Sequence, residues 1–193
     1  MTILGAVLLC AVPVAGMAQS ADSFNVESKL RFHADAVYSP WSMAESAAYA
    51  GILQGLDTPK EWGQGGDAYA KRLASTIASS GIHSVLAFGL DSALHQDPRY
   101  FRSLDTGFWR RTAHAFRGTI LTRTDSGGET LSTWRLGSDY GAAFLSNQWY
   151  PGRLNTARLG AREGSLHLAF DFASNLGSEF GPDIKRKLLH RRP

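Results

Sequence analysis

The stretch that decides the fold is residues 155–181, NTARLGAREGSLHLAFDFASNLGSEFG. A small residue recurs in it at every fourth position: Ala161, Ser165, Ala169, Ala173, Gly177 and Gly181. On an α-helix, residues four apart stack on one slowly drifting face, so this spacing predicts a helix with a groove that has almost no side-chain bulk. Such a groove lets a second helix approach closely, either within a membrane or inside a soluble helical domain.

Helix start and stop signals divide the rest of the chain into further helices. Ser39-Pro40 supplies an N-cap followed by a proline at the first helical position. Asp97-Pro98 ends a long helix, because the residue before a proline avoids the α region. Ser126 and Glu129 have capping-box spacing and begin the fourth helix. The predicted helices lie at about residues 39–56, 67–95, 107–123, 126–148 and 155–178, and Pro182 opens a short basic one.

Residues 24–38 fit two kinds of element. Their apolar residues alternate as in a strand, but Val26, Leu30, Ala34 and Val37 also share one helix face. A lone strand without a partner is difficult to stabilise, so we favour a helix. Since no hinge, low-complexity segment or exact repeat divides the chain, we predict an all-α, single-domain bundle of about five main helices with Gly/Ala/Ser packing faces.

Residues 1–18, MTILGAVLLCAVPVAGMA, have the pattern of a signal peptide. They carry no charge, and an apolar run from Ile3 to Val14 is followed by the small-x-small sequence Gly16-Met17-Ala18. We therefore predict cleavage before Gln19 and a single helical domain over residues 19–193. The only cysteine, Cys10, lies inside the leader, so the mature chain has no thiol chemistry.

The chain has a net charge of +3 and a basic C-terminal tail at residues 185–192, KRKLLHRR. A basic segment of this kind binds anionic surfaces or remains solvated. Export makes nucleic acid an unsuitable partner, so we expect an acidic membrane surface or a solvated terminus.

The long helices at residues 67–95 and 155–178 have narrow polar faces. Residues 73–94 have the length of a membrane span and contain no Lys or Arg, but Ser, Thr, His and Asp dilute them. We expect both helices to be enclosed by neighbouring helices or to lie at a lipid boundary, and not to be plain membrane spans.

The densest group of functional side chains is the HQDPRYFR block, residues 95–102. His95 beside Asp97 has the composition of an oriented general base, and Arg99 and Arg102 have that of an anion clamp. Such a site would extend to Arg123 and Asp125. The alternative, which we favour, is a helix cap in which these residues compensate the helix C-terminus and anchor the following turn.

Glu163, His167 and Asp171 are weak candidates for metal ligands, because the spacing i, i+4, i+8 puts them on one helical line. Three successive turns are too far apart for one ion without another ligand, so we predict a hydrated polar stripe, with no metal and no cofactor. The motifs Gly-x-Ser-x-Gly, His-Glu-x-x-His and Cys-x-x-Cys are missing from the sequence.

Several blocks together resemble a family of uncharacterised exported proteins of the bacterial cell envelope. They are Ser39-Pro40, residues 61–65 (EWGQG) with Tyr69 and Lys71-Arg72, residues 94–102 (LHQDPRYFR) and residues 122–127 (TRTDSG). The resemblance covers nearly the whole mature chain, and its HQDPRYFR block is the most distinctive part. It implies export and a single domain, and it assigns no activity to any residue.

The sequence therefore favours a non-enzymatic exported helical protein of the bacterial cell envelope or periplasm, in contact with membrane lipid or a partner helix. The alternative is a hydrolase or anion-binding enzyme with its site around His95, Asp97 and Arg99. The two hypotheses differ in one geometric respect, which is whether these side chains share one open concavity.

Overall fold

The computed structural model describes residues 24–189, which form six α-helices and a small sheet. The helices are α1 (Val26–Tyr38), α2 (Pro40–Gly55), α3 (Gly66–Ala93), α4 (Phe108–Ile120), α5 (Thr133–Ser146) and α6 (Ala157–Leu189). The strands are β1 (Gln96–Asp97), β2 (Leu121–Thr124) and β3 (Glu129–Leu131), and short 3₁₀ turns lie at Lys60–Trp62 and Asn147–Trp149. The prediction of an all-α, single-domain bundle is confirmed. The signal peptide, its cleavage point, Cys10 and the last residues of the basic tail lie outside the described residues.

Local capping decides where the first two helices begin. The Asn25 side chain accepts a hydrogen bond from the Ser28 amide at 2.8 Å, which starts α1. Ser39 has an extended backbone, and its hydroxyl accepts a hydrogen bond from the Ser42 amide at 3.2 Å. With Pro40 at the first position of α2, Ser39 separates two helices that would otherwise be continuous. Residues 26–38 are thus helical, and the predicted cap at Ser39-Pro40 is confirmed.

Helix α3 is the centre of the bundle, since it packs against α1, α2 and α5, and α5 in turn packs against α6. Two glycines of α5 show how closely α5 approaches α3. A Cβ at Gly137 would lie 2.6 Å from Leu90 Cδ1, and one at Gly141 would lie 2.9 Å from Leu86 Cδ1. The small-residue packing face expected on the helix before residue 148 is therefore present on α5.

The ladder on α6 does not pack as predicted. Ala161, Ser165 and Ala169 are exposed. The contact with α5 is made one residue earlier, where a Cβ at Gly160 would lie 2.6 Å from Phe144, and one at Gly164 would lie 2.5 Å from Tyr140. Each four-residue step turns the ladder by about 40° relative to the helix axis, so the ladder winds away from the packed face.

The segment after α4 also differs from the prediction. The helix expected over residues 107–123 ends at Ile120, and the one expected from Ser126 begins only at Thr133. Between them, β2 and β3 form a hairpin that pairs Leu121 with Leu131, and β1 adds to its other side in antiparallel register. Gly127 has a φ of 89°, so it makes the hairpin turn possible where the sequence indicated a capping box.

Helix α6 continues through Pro182, so the predicted break after residue 178 is wrong. Proline removes one backbone hydrogen bond from a helix. Arg111 of α4 binds the turns on both sides of this position, because its Nε lies 3.1 Å from Glu179 Oε2 and its guanidinium lies 2.6 Å from Asp183 Oδ2. This double contact holds the two halves of the helix in line.

Candidate functional site

The interior of the bundle is polar. The largest fully buried side chains include Arg72, Lys29, Glu179, Asp91 and Asp139. The buried apolar residues are small, apart from Val37 and Trp134: Ala50, Ala68, Ala87, Ala115, Ala142 and Ala143. Buried charges are rare in water-soluble domains and need partners wherever they occur. The clusters that satisfy these charges are therefore the first candidates for function.

One cluster joins α1 to α3 and to the β2–β3 turn. Lys29 Nζ lies 2.8 Å from Asp125 Oδ2 and donates to the Asp91 carbonyl oxygen at 3.2 Å. His33 Nε2 lies 2.7 Å from Asp91 Oδ2. Lys29, His33 and Val37 form the buried face of α1, whereas the apolar Val26 and Leu30 are 59 % and 52 % exposed. The predicted apolar face of this helix is thus divided: Val26 and Leu30 are exposed, whereas Val37 is buried.

A second cluster surrounds Glu179 on α6. Its carboxylate accepts hydrogen bonds from the Tyr100 hydroxyl at 2.7 Å, the Ser103 amide at 2.6 Å and Arg111 Nε at 3.1 Å. Burial raises the pKa of Tyr100, and the hydrogen bond to Glu179 raises it further. Every contact ties the 98–107 loop or α4 to α6, so this cluster holds the structure together.

A third cluster lies between α3, α5 and α6. His83 Nε2 is 3.0 Å from Asp139 Oδ1 and 3.1 Å from the Ser138 hydroxyl. Since one ring nitrogen meets both groups, they do not form a relay in which an acid orients a base toward a nucleophile. Asp139 Oδ2 is buried without a hydrogen-bond partner among the described residues. The ring of His167 meets the His83 ring edge-on, with the centroids 6.3 Å apart.

The three candidate metal ligands, Glu163, His167 and Asp171, lie in different surroundings. Asp171 pairs with Arg135 at 2.8 Å; burial nevertheless raises the pKa of Asp171 to about 6, with Arg135 opposing that change. Burial lowers the pKa of His167 and raises that of Glu163. All three are half-buried, so the stripe predicted to be hydrated lies partly against the bundle. Within residues 24–189, no group of three or more His, Cys, Asp or Glu residues is placed to hold a metal ion.

The HQDPRYFR side chains are divided among separate contacts. Asp97 and Arg99 form an ion pair at 2.6 Å, and the Arg99 guanidinium also stacks on Phe24 at 4.3 Å. Arg102 donates to the Glu179 carbonyl oxygen at 2.8 Å. The His95 side chain is 82 % exposed, with Nδ1 3.8 Å from Asp125 Oδ2. Arg123 stacks on Phe101 at 4.2 Å.

These contacts do not bring the predicted acid, base and clamp together around one cavity. Asp97 has its charge compensated by its own neighbour, and Arg102 is used by α6. His95 and Asp125 are near each other, but Asp125 is paired with Lys29. The geometry of the block is that of a loop anchored between α3, α4 and α6.

Large apolar side chains are exposed on the exterior, beside exposed charges such as Arg31, Arg110 and Arg117. Exposed large apolar side chains occur on all six helices and include Val26, Trp41, Tyr49, Val85, Trp109, Phe116, Phe144, Phe170 and Ile184. Helix α3 is the one described helix that is long and apolar enough to cross a membrane, by length and composition alone. Its most apolar stretch has a mean hydropathy of 1.4, and only 11 % of that stretch is buried. An apolar helix at the centre of a soluble domain would be mostly buried.

Sequence reasoning missed the buried charges at Lys29, Arg72 and Glu179. One signal was available: Lys29, His33 and Val37 are spaced four residues apart, so they share one face of α1. No protein-family model, curated protein or solved structure matches this chain. Function is therefore argued from the distribution of polarity and from the contacts above.

Proposed function

We propose that this chain is a non-enzymatic, membrane-associated helical protein of the bacterial envelope, and that its apolar exterior contacts lipid. The observation that carries the proposal is the combination of buried charges with exposed large apolar side chains on all six helices. Apolar surface in water costs about 25 cal/mol per Å², a cost that contact with lipid removes. Ionisable residues near lipid face the protein interior and pair there, as Lys29, Asp91 and Glu179 do.

The charge distribution on α3 supports a lipid-facing belt. From residue 72 to residue 94, each Arg, Lys, Asp or Glu side chain is buried. This stretch is about 34 Å long at 1.5 Å per residue, close to the roughly 30 Å of a bilayer's hydrocarbon core. Exposed charges lie beyond its two ends, at Lys71 on one side and in the 95–105 loop on the other. We define the belt as the exposed surface of residues 72–94.

Export to the envelope is the second part of the proposal. It is supported by the leader-like residues 1–18 and by the basic segment at the end of α6, where Lys185, Arg186 and Lys187 are exposed. A basic segment beside an apolar surface favours an anionic membrane. The enzyme alternative has less support, because Asp97 and Arg99 neutralise each other.

A single charge on the belt tests the proposal. Val85 is 71 % exposed near the middle of the belt, so Val85→Lys is harmless if that surface faces water. If it faces lipid, the lysine costs about 2.5–3.5 kcal/mol of membrane affinity. We expect the wild-type chain to float with lipid vesicles and resist a carbonate wash of cell membranes, and Val85→Lys to be released.

The matched control is Leu104→Lys, because Leu104 is fully exposed but lies in the loop outside the belt. This variant should float with vesicles like the wild type. If Val85→Lys binds vesicles as strongly as Leu104→Lys does, or if the wild-type chain stays in solution, the lipid-facing belt is wrong.

A further inference from the structure

A groove of about 390 Å³ opens beside the N-terminal third of α3, where the charged end of the bundle meets the belt. Its lining residues are Trp62, Lys71, Ala74, Ser75, Ala78 and Trp149. Four of them are at positions i, i+3, i+4 and i+7 of α3, so they share one face of the helix. Alanine and serine leave the floor low, and the two indole rings form the walls.

Both walls are held in place by contacts with neighbouring side chains. Trp62 stacks on Tyr150, with the ring centroids 5.2 Å apart and the planes at 14°. Trp149 donates its indole N–H to the Ser75 hydroxyl at 2.8 Å. Because these contacts occupy the polar atoms of Ser75 and Trp149, the surface left in the groove is mainly apolar. The groove is therefore formed before any ligand arrives.

Lys71 is the exception to this apolar lining. It is exposed, and among residues 24–189 it makes no ion pair. From Lys71 to Ala78 the groove follows α3 for about 10 Å, toward the charge-free belt. A ligand that matches it has an anionic group at one end and an apolar chain at the other. Tryptophan and lysine at the edge of an apolar belt are also typical of the membrane interface.

We propose that this groove binds one anionic phospholipid, with its headgroup phosphate at Lys71 Nζ and an acyl chain along Ala74 and Ala78. This inference rests on the proposed function, because it places the groove at the boundary between headgroups and acyl chains. The Trp62 and Trp149 rings cover the sides of the chain. Lys71 supplies the preference for an anionic headgroup over a zwitterionic one.

The test is native mass spectrometry of the full chain in detergent, with phosphatidylglycerol and phosphatidylcholine of identical acyl chains. We expect one retained phosphatidylglycerol. Lys71→Gln should weaken its retention about fivefold and leave phosphatidylcholine unchanged. Ala78→Phe fills the floor and should weaken both lipids. Lys60→Gln, which removes an exposed charge outside the groove, is the matched control and should change neither.

Three outcomes overturn the inference: no retained lipid, equal retention by all four proteins, or displacement of the lipid by glycerol phosphate in solution. The last would indicate a phosphate site that needs no acyl chain. Circular dichroism establishes that each variant is folded, and Ala78 is exposed, so a fold defect is not expected. If vesicle binding persists while Lys71→Gln keeps the wild-type lipid preference, the groove is not a phospholipid site. The proposal of a lipid-facing belt is unaffected by that result. If the wild-type chain binds no vesicles, both proposals fail.

Discussion

At the scale of single residues, His95 shows how backbone geometry accounts for a position that the sequence marked for chemistry. Its φ is 52°, in the left-handed region, and its side chain is 82 % exposed. This conformation lets the chain leave α3 and enter β1, and the His95 carbonyl oxygen accepts a hydrogen bond from the Asp125 amide at 2.8 Å. The structural requirement at position 95 is thus a left-handed backbone conformation, and the imidazole itself is exposed.

Substitutions at His95 separate these two roles. His95→Gly relieves the left-handed strain but adds freedom to the unfolded chain, so we expect the free energy of unfolding to stay within about 0.5 kcal/mol of wild type. His95→Val puts a β-branched side chain in the same conformation and should cost about 1–2 kcal/mol. Denaturant unfolding in detergent micelles measures both. A stable His95→Gly protein that has lost an envelope phenotype would instead support a catalytic imidazole.

At the scale of elements, α6 shows that small residues pack only where another helix lies beside them. Gly164 faces Tyr140 of α5, whereas Ala169 is exposed. Both positions fit a close-packing motif in the sequence, and only the register between α5 and α6 distinguishes them. The other restraint on α6 is electrostatic, because Arg111 holds the turns on both sides of Pro182.

Two substitutions on α6 test the packing register. Gly164→Ala would put a Cβ 2.5 Å from the Tyr140 ring, so it should lower the free energy of unfolding by about 1–3 kcal/mol. Ala169→Leu adds a larger side chain to an exposed face and should change it by less than about 0.5 kcal/mol. Thermal melts of the two variants provide the comparison. Equal losses in both would mean that the α5–α6 register is shifted.

The Arg111 contact also predicts a pH dependence. Its hydrogen bond to Asp183 lowers the pKa of that carboxyl below the ordinary value of 3.8. The unfolded chain therefore binds more protons in the window below about pH 4, and the Asp183 contribution to stability is lost as the pH falls through the lowered pKa. Unfolding measured from pH 6 to pH 3 should show a smaller loss for Asp183→Asn than for wild type. Asp35→Asn, on the exposed side of α1, is the control and should retain the wild-type slope.

At the scale of the whole molecule, the described residues form a bundle with charges buried inside and large apolar side chains exposed beside surface charges. Lys29 and Glu179 bind groups from segments far away in the chain, whereas Arg72 binds the turn that precedes its own helix. Breaking one buried pair typically costs about 3–5 kcal/mol, because the other charge is left without compensation. Such pairs also restrict which helices can associate. This matters most in lipid, where the hydrophobic effect contributes little to helix association.

Processing of the N-terminus is the prediction that belongs to this scale. If residues 1–18 are removed on export, the mature chain begins at Gln19. Intact-mass measurement of the protein recovered from the envelope should give the mass of residues 19–193. A cytoplasmically retained control with Leu8→Arg, which interrupts the apolar run, should keep the mass of the full chain. Recovery of the full-length mass from the envelope would contradict the signal-peptide prediction.

The sequence by itself determined the starts of α2, α3 and α4 to within one residue and the glycine packing face of α5. Caps such as Asn25 and Ser39 act on amides three residues away, so their effect depends on neighbouring residues alone. The turn after α3 and the glycines of α5 follow in the same way. Within the HQDPRYFR block, Asp97 and Arg99 are only two residues apart, and they form an ion pair.

Only the tertiary structure decided which face of each helix points inward. Hydrophobic spacing gives the period of a helix, but the direction of its apolar face depends on whether water or lipid surrounds the bundle. The spacing of Val26 and Leu30 predicted that α1 is a helix, but it did not predict that both side chains are exposed. The tertiary structure also decided the sheet and the Glu179 cluster, because the residues that pair in them are distant in sequence. Tyr100 and Arg111 meet Glu179 only after α4 and α6 have packed.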